Sequence, residues 1–301
     1  MVPWLTEPKF GHHLFMLIMA SKKLKTPITY YGGKQLLVSD ILPLIPDHRI
    51  YVEPFFGGGA VFFAKGKSRV EIINDNNRFV VNFFEQVKSN FHELQALVQQ
   101  TPHSRALHRD ANVMYEHPHL FTDLERAWAF WVLCNQGYAG KISRSWGYGT
   151  SNCERERSLK FKREYFVEDL QQRLEQVQID CTDALHMITL RDREEAFFYV
   201  DPPYYNSNMG HYDDYTIEDY ERLLEALSRI KGKFLLSSYP SDILERFTQQ
   251  HGWHQIQIGM PCMASAKRKS KVEVLTANYD IRARMPADLS APDPTPVAVT
   301  A

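Results

Sequence analysis

The chain has 301 residues, 44% of them hydrophobic, with 35 Lys and Arg against 36 Asp and Glu. Such a composition supports one large domain or a core with a smaller lobe, and it excludes a global basic field, so any nucleic acid must be met by local patches. Cys134, Cys153, Cys181 and Cys262 form no CxxC pair, which argues against a zinc site or a disulfide framework and fits a reducing cytoplasm, and no run approaches the roughly 18 apolar residues of a membrane helix.

In chain order, residues 14–20 form a short apolar run with little positive charge before it, a poor signal peptide. Met19 offers a later start, so residues 1–25 are expected to be an N-terminal extension. A helix is predicted over 35–44, strands over 50–56 and 70–73, and a helix over 79–88. From about 89 to 167 no strand signal occurs. Helical periodicity there places Leu124, Ala127, Trp128, Trp131 and Val132 on one face, and the two tryptophans read as core. Strands follow at 177–181, 196–200, 234–238, 255–258 and 272–277. A helix over 217–230 is capped by Thr216 and carries Tyr220, Leu223, Leu224 and Leu227 on one face. Several strands are continuously apolar, as in a sheet covered on both sides, and helices alternate with them, so the fold class is α/β. The expected division is a core of 26–88 and 166–283, a helical insertion at 89–165, and a disordered tail at 284–301.

Four motifs carry chemistry. The strand at 50–56 runs into Glu53-Pro54-Phe55-Phe56-Gly57-Gly58-Gly59-Ala60, a strand–glycine–helix sequence. Glycines let backbone approach a small molecule closely, although a purely structural tight turn has the same composition. The spacing matches neither GxGxxG nor a P-loop. Asp75 ends the next strand, where an acid holds ribose hydroxyls or caps the following helix. Asp183 ends the third strand, where it would accept from an adenine amine or act as a cap. Asp201-Pro202-Pro203-Tyr204 follows the buried run 196–200. Two prolines stiffen this loop, leaving a fixed carboxylate, an oriented carbonyl and an aromatic face, a set suited to holding a planar amine.

Four elements in order, Tyr30-Tyr31-Gly32-Gly33-Lys34, Glu53 to Gly59, Asp75 and Asp201 to Tyr204, resemble the Dam-type (D12 class, α-group) adenine-specific DNA N6-methyltransferases. The late run 267–279, with Lys267, Arg268, Lys269 and Glu273, is similar to the last core segment of that family. The resemblance spans roughly residues 27–282. It implies a Rossmann-like S-adenosylmethionine-dependent methyltransferase sheet with an inserted helical target-recognition lobe. It implies that Tyr30 packs on S-adenosylmethionine, that Lys34 lies near its carboxylate, that Phe55, Gly57 and Gly59 line its methionine part, and that Asp75 holds the ribose. Asp183 and Asp201 complete the cofactor set. Asp201, Pro202, Pro203 and Tyr204 become the catalytic site, with no metal.

The implied acceptor is a flipped adenine in double-stranded DNA. Asn135, Gln136, Tyr138, Lys141, Arg144 and Trp146 would read or stack on bases, and Lys267 to Lys269 would meet phosphates. This loop departs from the pattern of GATC-methylating members, which leaves the recognition sequence open. The expected setting is the cytoplasm of a bacterial or phage system, at the nucleoid and away from membrane, with the chain a monomer or weak dimer and a cognate restriction endonuclease as a further candidate partner. Two competing readings remain: a methyltransferase for RNA or another amine, and a catalytically inactive DNA-binding relative.

Overall fold

The computed structural model describes residues 24–138, 142, 145–149, 153–205, 215–259 and 272–284. Its centre is a seven-stranded sheet in the order β3-β2-β1-β4-β5-β7-β6. The strands are β1 (Ile50–Glu53), β2 (Val70–Asn74), β3 (Gln178–Asp180), β4 (Ala196–Val200), β5 (Lys233–Ser238), β6 (His254–Gly259) and β7 (Val272–Ala277). β1 to β5 are mutually parallel, while β7 runs antiparallel between β5 and β6. β4 is buried at every position, as its unbroken apolar run requires.

Alternation along the strands sorts side chains onto two faces. Tyr51, Ile73, Phe197, Tyr199, Leu235 and Leu275 enter one core cluster. Val52, Ile72, Phe198, Val200, Leu236 and Val274 enter the other. Helices cover both. On the first face lie α1 (Val38–Ile41), α2 (Ala60–Ala64), α3 (Arg78–Ser89), α4 (Phe91–Gln100) and α6 (Asp123–Gln136), with α5 (Arg105–Glu116), α7 (Glu154–Glu164) and α8 (Asp169–Leu174) around them. On the second lie α9 (Ala184–Arg191), α10 (Ile217–Leu227) and α11 (Asp242–His251).

The strand-free stretch is helical as expected, yet it shares the first core instead of building its own. Phe130 and Trp131 of α6 are fully buried in the same cluster as Tyr51 and Phe197. Phe91 stacks on Phe166 with ring centroids 5.4 Å apart. Trp128 is partly buried and donates Nε1 to Thr101 Oγ1 at 2.8 Å. The predicted helix over 35–44 is shorter than expected: Val38–Ile41 is α-helical and Leu42–Leu44 tightens to a 3₁₀ turn. Pro43 lacks the N–H needed to continue the α ladder. The helix after Thr216 begins with a reciprocal capping box to Asp219 and ends at Leu227. Of the expected segments, 1–23 and the tail beyond 284 lie outside the described residues.

Candidate active site

β1 and β4 are neighbours, and the chain leaves them in opposite directions, toward β2 and toward β5. Such a switch point opens a crevice at the carboxyl ends of the two strands. The glycine loop follows β1 and the Asp201 loop follows β4, so the fold itself brings the two motifs together.

On the β1 side, Gly57 and Gly59 have φ of +48° and +65°, values that side chains bearing Cβ rarely adopt. A Cβ on Gly57 would lie 2.9 Å from Tyr30 Cδ1, so the Tyr30 ring rests on the glycine backbone. A Cβ on Gly59 would collide with the Phe56 ring. Phe56 is the buried aromatic of the pair, and Phe55 remains partly accessible. Thr26 Oγ1 donates to Gly58 O at 2.5 Å and fixes the far side of the loop.

Asp75 is buried and binds the loop from β2. Its Oδ2 accepts from Gly57 N at 2.8 Å and its Oδ1 from Asn77 N at 2.9 Å. Burial pushes its carboxyl up to about 6, against the pull of those two N–H groups. The following helix, α3, is capped by Asn77, which accepts from Phe79 N at 3.0 Å, so Asp75 is not its cap. Asp183 does cap a helix: it is exposed and accepts from His186 N at the start of α9.

On the β4 side, Asp201 meets Lys34. Lys34 Nζ donates to Asp201 Oδ1 at 2.6 Å and to Gly32 O at 3.1 Å, and stands 3.6 Å from Glu273 Oε1. Tyr204 OH lies 3.2 Å from the same Asp201 Oδ1. Among the described residues nothing bonds Asp201 Oδ2. Burial raises the Asp201 carboxyl to about 6, Lys34 opposes that rise, and the charge of Glu273 adds to it. Burial pulls Lys34 down, but Asp201 and Glu273 outweigh it and hold the ammonium above its usual range. Both shifts leave the pair ionised at neutral pH. Glu53, buried behind Asp201, is pushed up to about 8 by burial although Tyr51 OH donates to it at 2.7 Å.

The loop after α6 divides in two. Asn135 Oδ1 accepts from Thr29 N at 3.0 Å, and its Nδ2 donates to Trp131 O. Gln136 is 1% exposed, accepting from Ser104 N and donating to Pro102 O, both at 3.0 Å. Both ends of these two amides, expected to read bases, are engaged by the protein, Gln136 being buried and Asn135 half-buried. Tyr138 is exposed. Trp146 closes an isolated bridge to Gly137, stacks on His103 at 4.6 Å and lies under the Arg105 guanidinium. Lys141, Arg144, Lys267, Arg268 and Lys269 lie outside the described residues.

Sequence reasoning left Glu273, Ser237 and Arg105 without roles. The signal for Glu273 was available: it is the one charged residue of the otherwise uncharged strand Val272–Ala277. Among the described residues no cluster of His, Cys, Asp and Glu could hold a metal ion, and no helix is long and apolar enough to cross a membrane.

Sheet order, glycine loop and strand-end acids are consistent with the α/β fold of S-adenosylmethionine-dependent methyltransferases. The pattern of the D12 class N6 adenine-specific DNA methyltransferases matches residues 30–257, and the chain belongs to that family. It is 25% identical over 286 residues to the Type II methyltransferase M1.LlaDCHI of Lactococcus lactis subsp. cremoris, covering 87% of this chain and 99% of that protein. It is 25% identical over 277 residues to the DNA adenine methylase of Escherichia coli K12, covering 86% and 96%. Against the DNA adenine methylase of Salmonella typhi it is 26% identical over 288 residues, covering 88% and 99%. The protein is thus an adenine-specific DNA methyltransferase.

Proposed function

We propose that the crevice between the β1 and β4 loops binds S-adenosylmethionine and an adenine extruded from double-stranded DNA, and that Asp201 presents the adenine N6 for direct methylation. The observation that carries this reading is Asp201, whose Oδ1 is held by Lys34 while its Oδ2 has no hydrogen-bond partner among the described residues.

The donor fits the residues present. Gly57 and Gly58 leave room that a side chain would fill against Tyr30 and Thr26. Asp75 is already oriented by two backbone N–H groups and has lone pairs left for a ribose diol. Phe55, Gly59 and Asp183 border the same strand ends, Asp183 with one oxygen engaged as a cap. When bound, the donor supplies a methyl group on a cationic sulfonium with a good leaving group.

The protein's work falls on the acceptor. The N6 lone pair of adenine is delocalised into its ring, so the amine is a poor nucleophile. Asp201 Oδ2 and the Pro202 carbonyl accept one N6–H each, drawing the nitrogen toward a tetrahedral shape and localising its lone pair. Holding the amine there supplies orientation and charge stabilisation without a strong base. The N6–methyl bond forms as the sulfur–methyl bond breaks, and the surplus N6 proton leaves through Asp201. Tyr204 offers a stacking face, worth about 1–3 kcal/mol by analogy with single-strand binders, and Pro203 fixes the loop that presents it. Extrusion of the base costs a few kcal/mol.

For the duplex, Tyr138 and Trp146 remain as stacking groups, joined by Lys141 and Arg144 of the same loop, while Asn135 and Gln136 hold that loop in place. Lys267, Arg268 and Lys269 belong to the connection between Gly259 and Val272, which are paired at the sheet edge that carries Asp201, and the reading assigns phosphate contact to them. The same reading has the chain working in the cytoplasm at the nucleoid as a monomer or weak dimer, with a cognate restriction endonuclease as a further partner.

The test is transfer of tritiated methyl from S-adenosylmethionine to duplex DNA, followed by nucleoside analysis. Label in N6-methyladenine is expected. Label in RNA alone, or in no nucleic acid, overturns the proposal.

A further inference from the structure

We propose that Glu273 is a positioning residue of the methyl-transfer site: through the Tyr204 hydroxyl it fixes the catalytic tyrosine ring, and through Lys34 it sets the charge balance around Asp201. The inference rests on the adenine-binding reading of this site.

The argument begins with strand direction. β7 is antiparallel to β5, with Ser238 opposite Val274 and Ser237 opposite Leu275. The amino end of β7 therefore lies beside the carboxyl ends of β4 and β5, where the crevice opens. A parallel strand in that place would carry Glu273 to the opposite edge. Glu273 is 2% exposed, and a carboxylate so placed is costly unless several donors meet it. They do. Ser237 Oγ donates to Glu273 Oε1 at 2.5 Å, and Tyr204 OH donates to the same oxygen in a short bond. The other contacts of that hydroxyl are longer, 3.2 Å to Asp201 Oδ1 and 3.4 Å to Ser237 Oγ, so Glu273 is its principal anchor.

The ring is held at two further points. Tyr239 meets it edge-on at 4.4 Å between centroids, and Lys34 Nζ lies 4.9 Å from its centroid. A hydroxyl anchor, an edge contact and a cation near the ring leave Tyr204 little freedom of rotation. Rotation is what a stacking platform must lose before a base arrives.

The described groups around Asp201 come from five segments. Lys34 comes from the turn before α1, Glu53 from β1, Tyr199 from β4, Tyr204 from the loop after it, and Glu273 from β7. Lys34 stabilises the Asp201 carboxylate, while the charge of Glu273 repels it, so removing the Glu273 charge lowers the pH at which Asp201 titrates.

Two measurements on the full chain test this. The first follows the carboxyl carbon of Asp201 by NMR against pH, assigned with Asp201→Asn. In Glu273→Gln the Asp201 transition is expected to move to lower pH than in the parent. The second is a methylation cycle of Glu273→Gln, Tyr204→Phe and the double variant. Each single change is expected to lower kcat about tenfold, and the double variant to fall about tenfold again from the parent instead of about a hundredfold, because both changes break one bond. An unmoved Asp201 transition, or single effects that multiply in the double variant, overturns the proposal. Loss of methylation in the parent itself would sink the function reading, and the Asp201 titration would still decide the role of Glu273.

Discussion

Two clusters of buried charge in this protein use the same residue types and reach opposite states. On β2, Glu71 stands between two cations: Lys65 Nζ donates to its Oε1 at 2.5 Å and Arg173 Nη2 at 2.9 Å. Arg173 also donates to Phe62 O at 3.0 Å and lies over the Phe62 ring. Burial pushes the Glu71 carboxyl up, yet the two cations overcome it and hold it below its usual range. At the crevice the ratio is reversed. Two carboxylates, Asp201 and Glu273, share the single ammonium of Lys34, and Asp201 is raised to about 6. The first cluster has more cation than it needs and is complete within the fold. Among the described residues the second holds more carboxylate than ammonium, a balance that would suit the cationic sulfonium proposed for this site.

Exchanging the roles of the two clusters is therefore the way to break the comparison. Asp201→Ala is expected to lower methyl transfer at least about a thousandfold, while gel-shift affinity for duplex DNA stays within a few-fold of the parent. If turnover persists, the under-neutralised cluster is not the catalytic one. Arg173→Met leaves Glu71 with one buried cation and is expected to cost about 3 kcal/mol in urea unfolding, with kcat unchanged in the folded protein. A kinetic loss without a stability loss would reverse the assignment. Asp201 must be ionised to accept N6–H, so kcat/KM is expected to fall about tenfold per pH unit below about pH 6, read from initial rates across a pH series. The stability signs differ between clusters. A raised carboxyl favours folding at low pH and loses that contribution as pH rises through its folded value, here about 6 for Asp201. The lowered Glu71 contributes above its ordinary range and is lost as pH falls through its depressed value. The smallest effect is expected at the exposed rim: Tyr138→Ala should raise the KM for DNA about fivefold, within the range of one lost stacking contact, and leave kcat near the parent.

Much of the crevice was legible in the sequence because its parts sit at strand ends. A fully apolar run such as 196–200 announces a buried strand, so the residues after it announce a crevice. Gly57 and Gly59 were readable for the same reason. What was not legible depends on contacts between distant segments. The side chains of Asn135 and Gln136 look like base readers until Thr29, Ser104 and Pro102 are seen to satisfy them. Lys34 looked free to meet a ligand carboxylate, and only the approach of the β4 loop shows it on Asp201. Strand existence followed from composition, but the antiparallel placement of β7 between β5 and β6 follows from pairing energetics across the whole sheet, and the location of Glu273 with it.

That placement also orders events in time. The crevice joins residues 34, 201 and 273, separated by 167 positions between Lys34 and Asp201 and by 69 between Tyr204 and Glu273. During synthesis, the glycine loop and the Asp201 loop leave the ribosome well before β7. Until β7 threads between its two neighbours, Tyr204 lacks its principal anchor and Lys34 its second counter-charge. The anchor of the Tyr204 ring thus forms only with the last strand of the sheet.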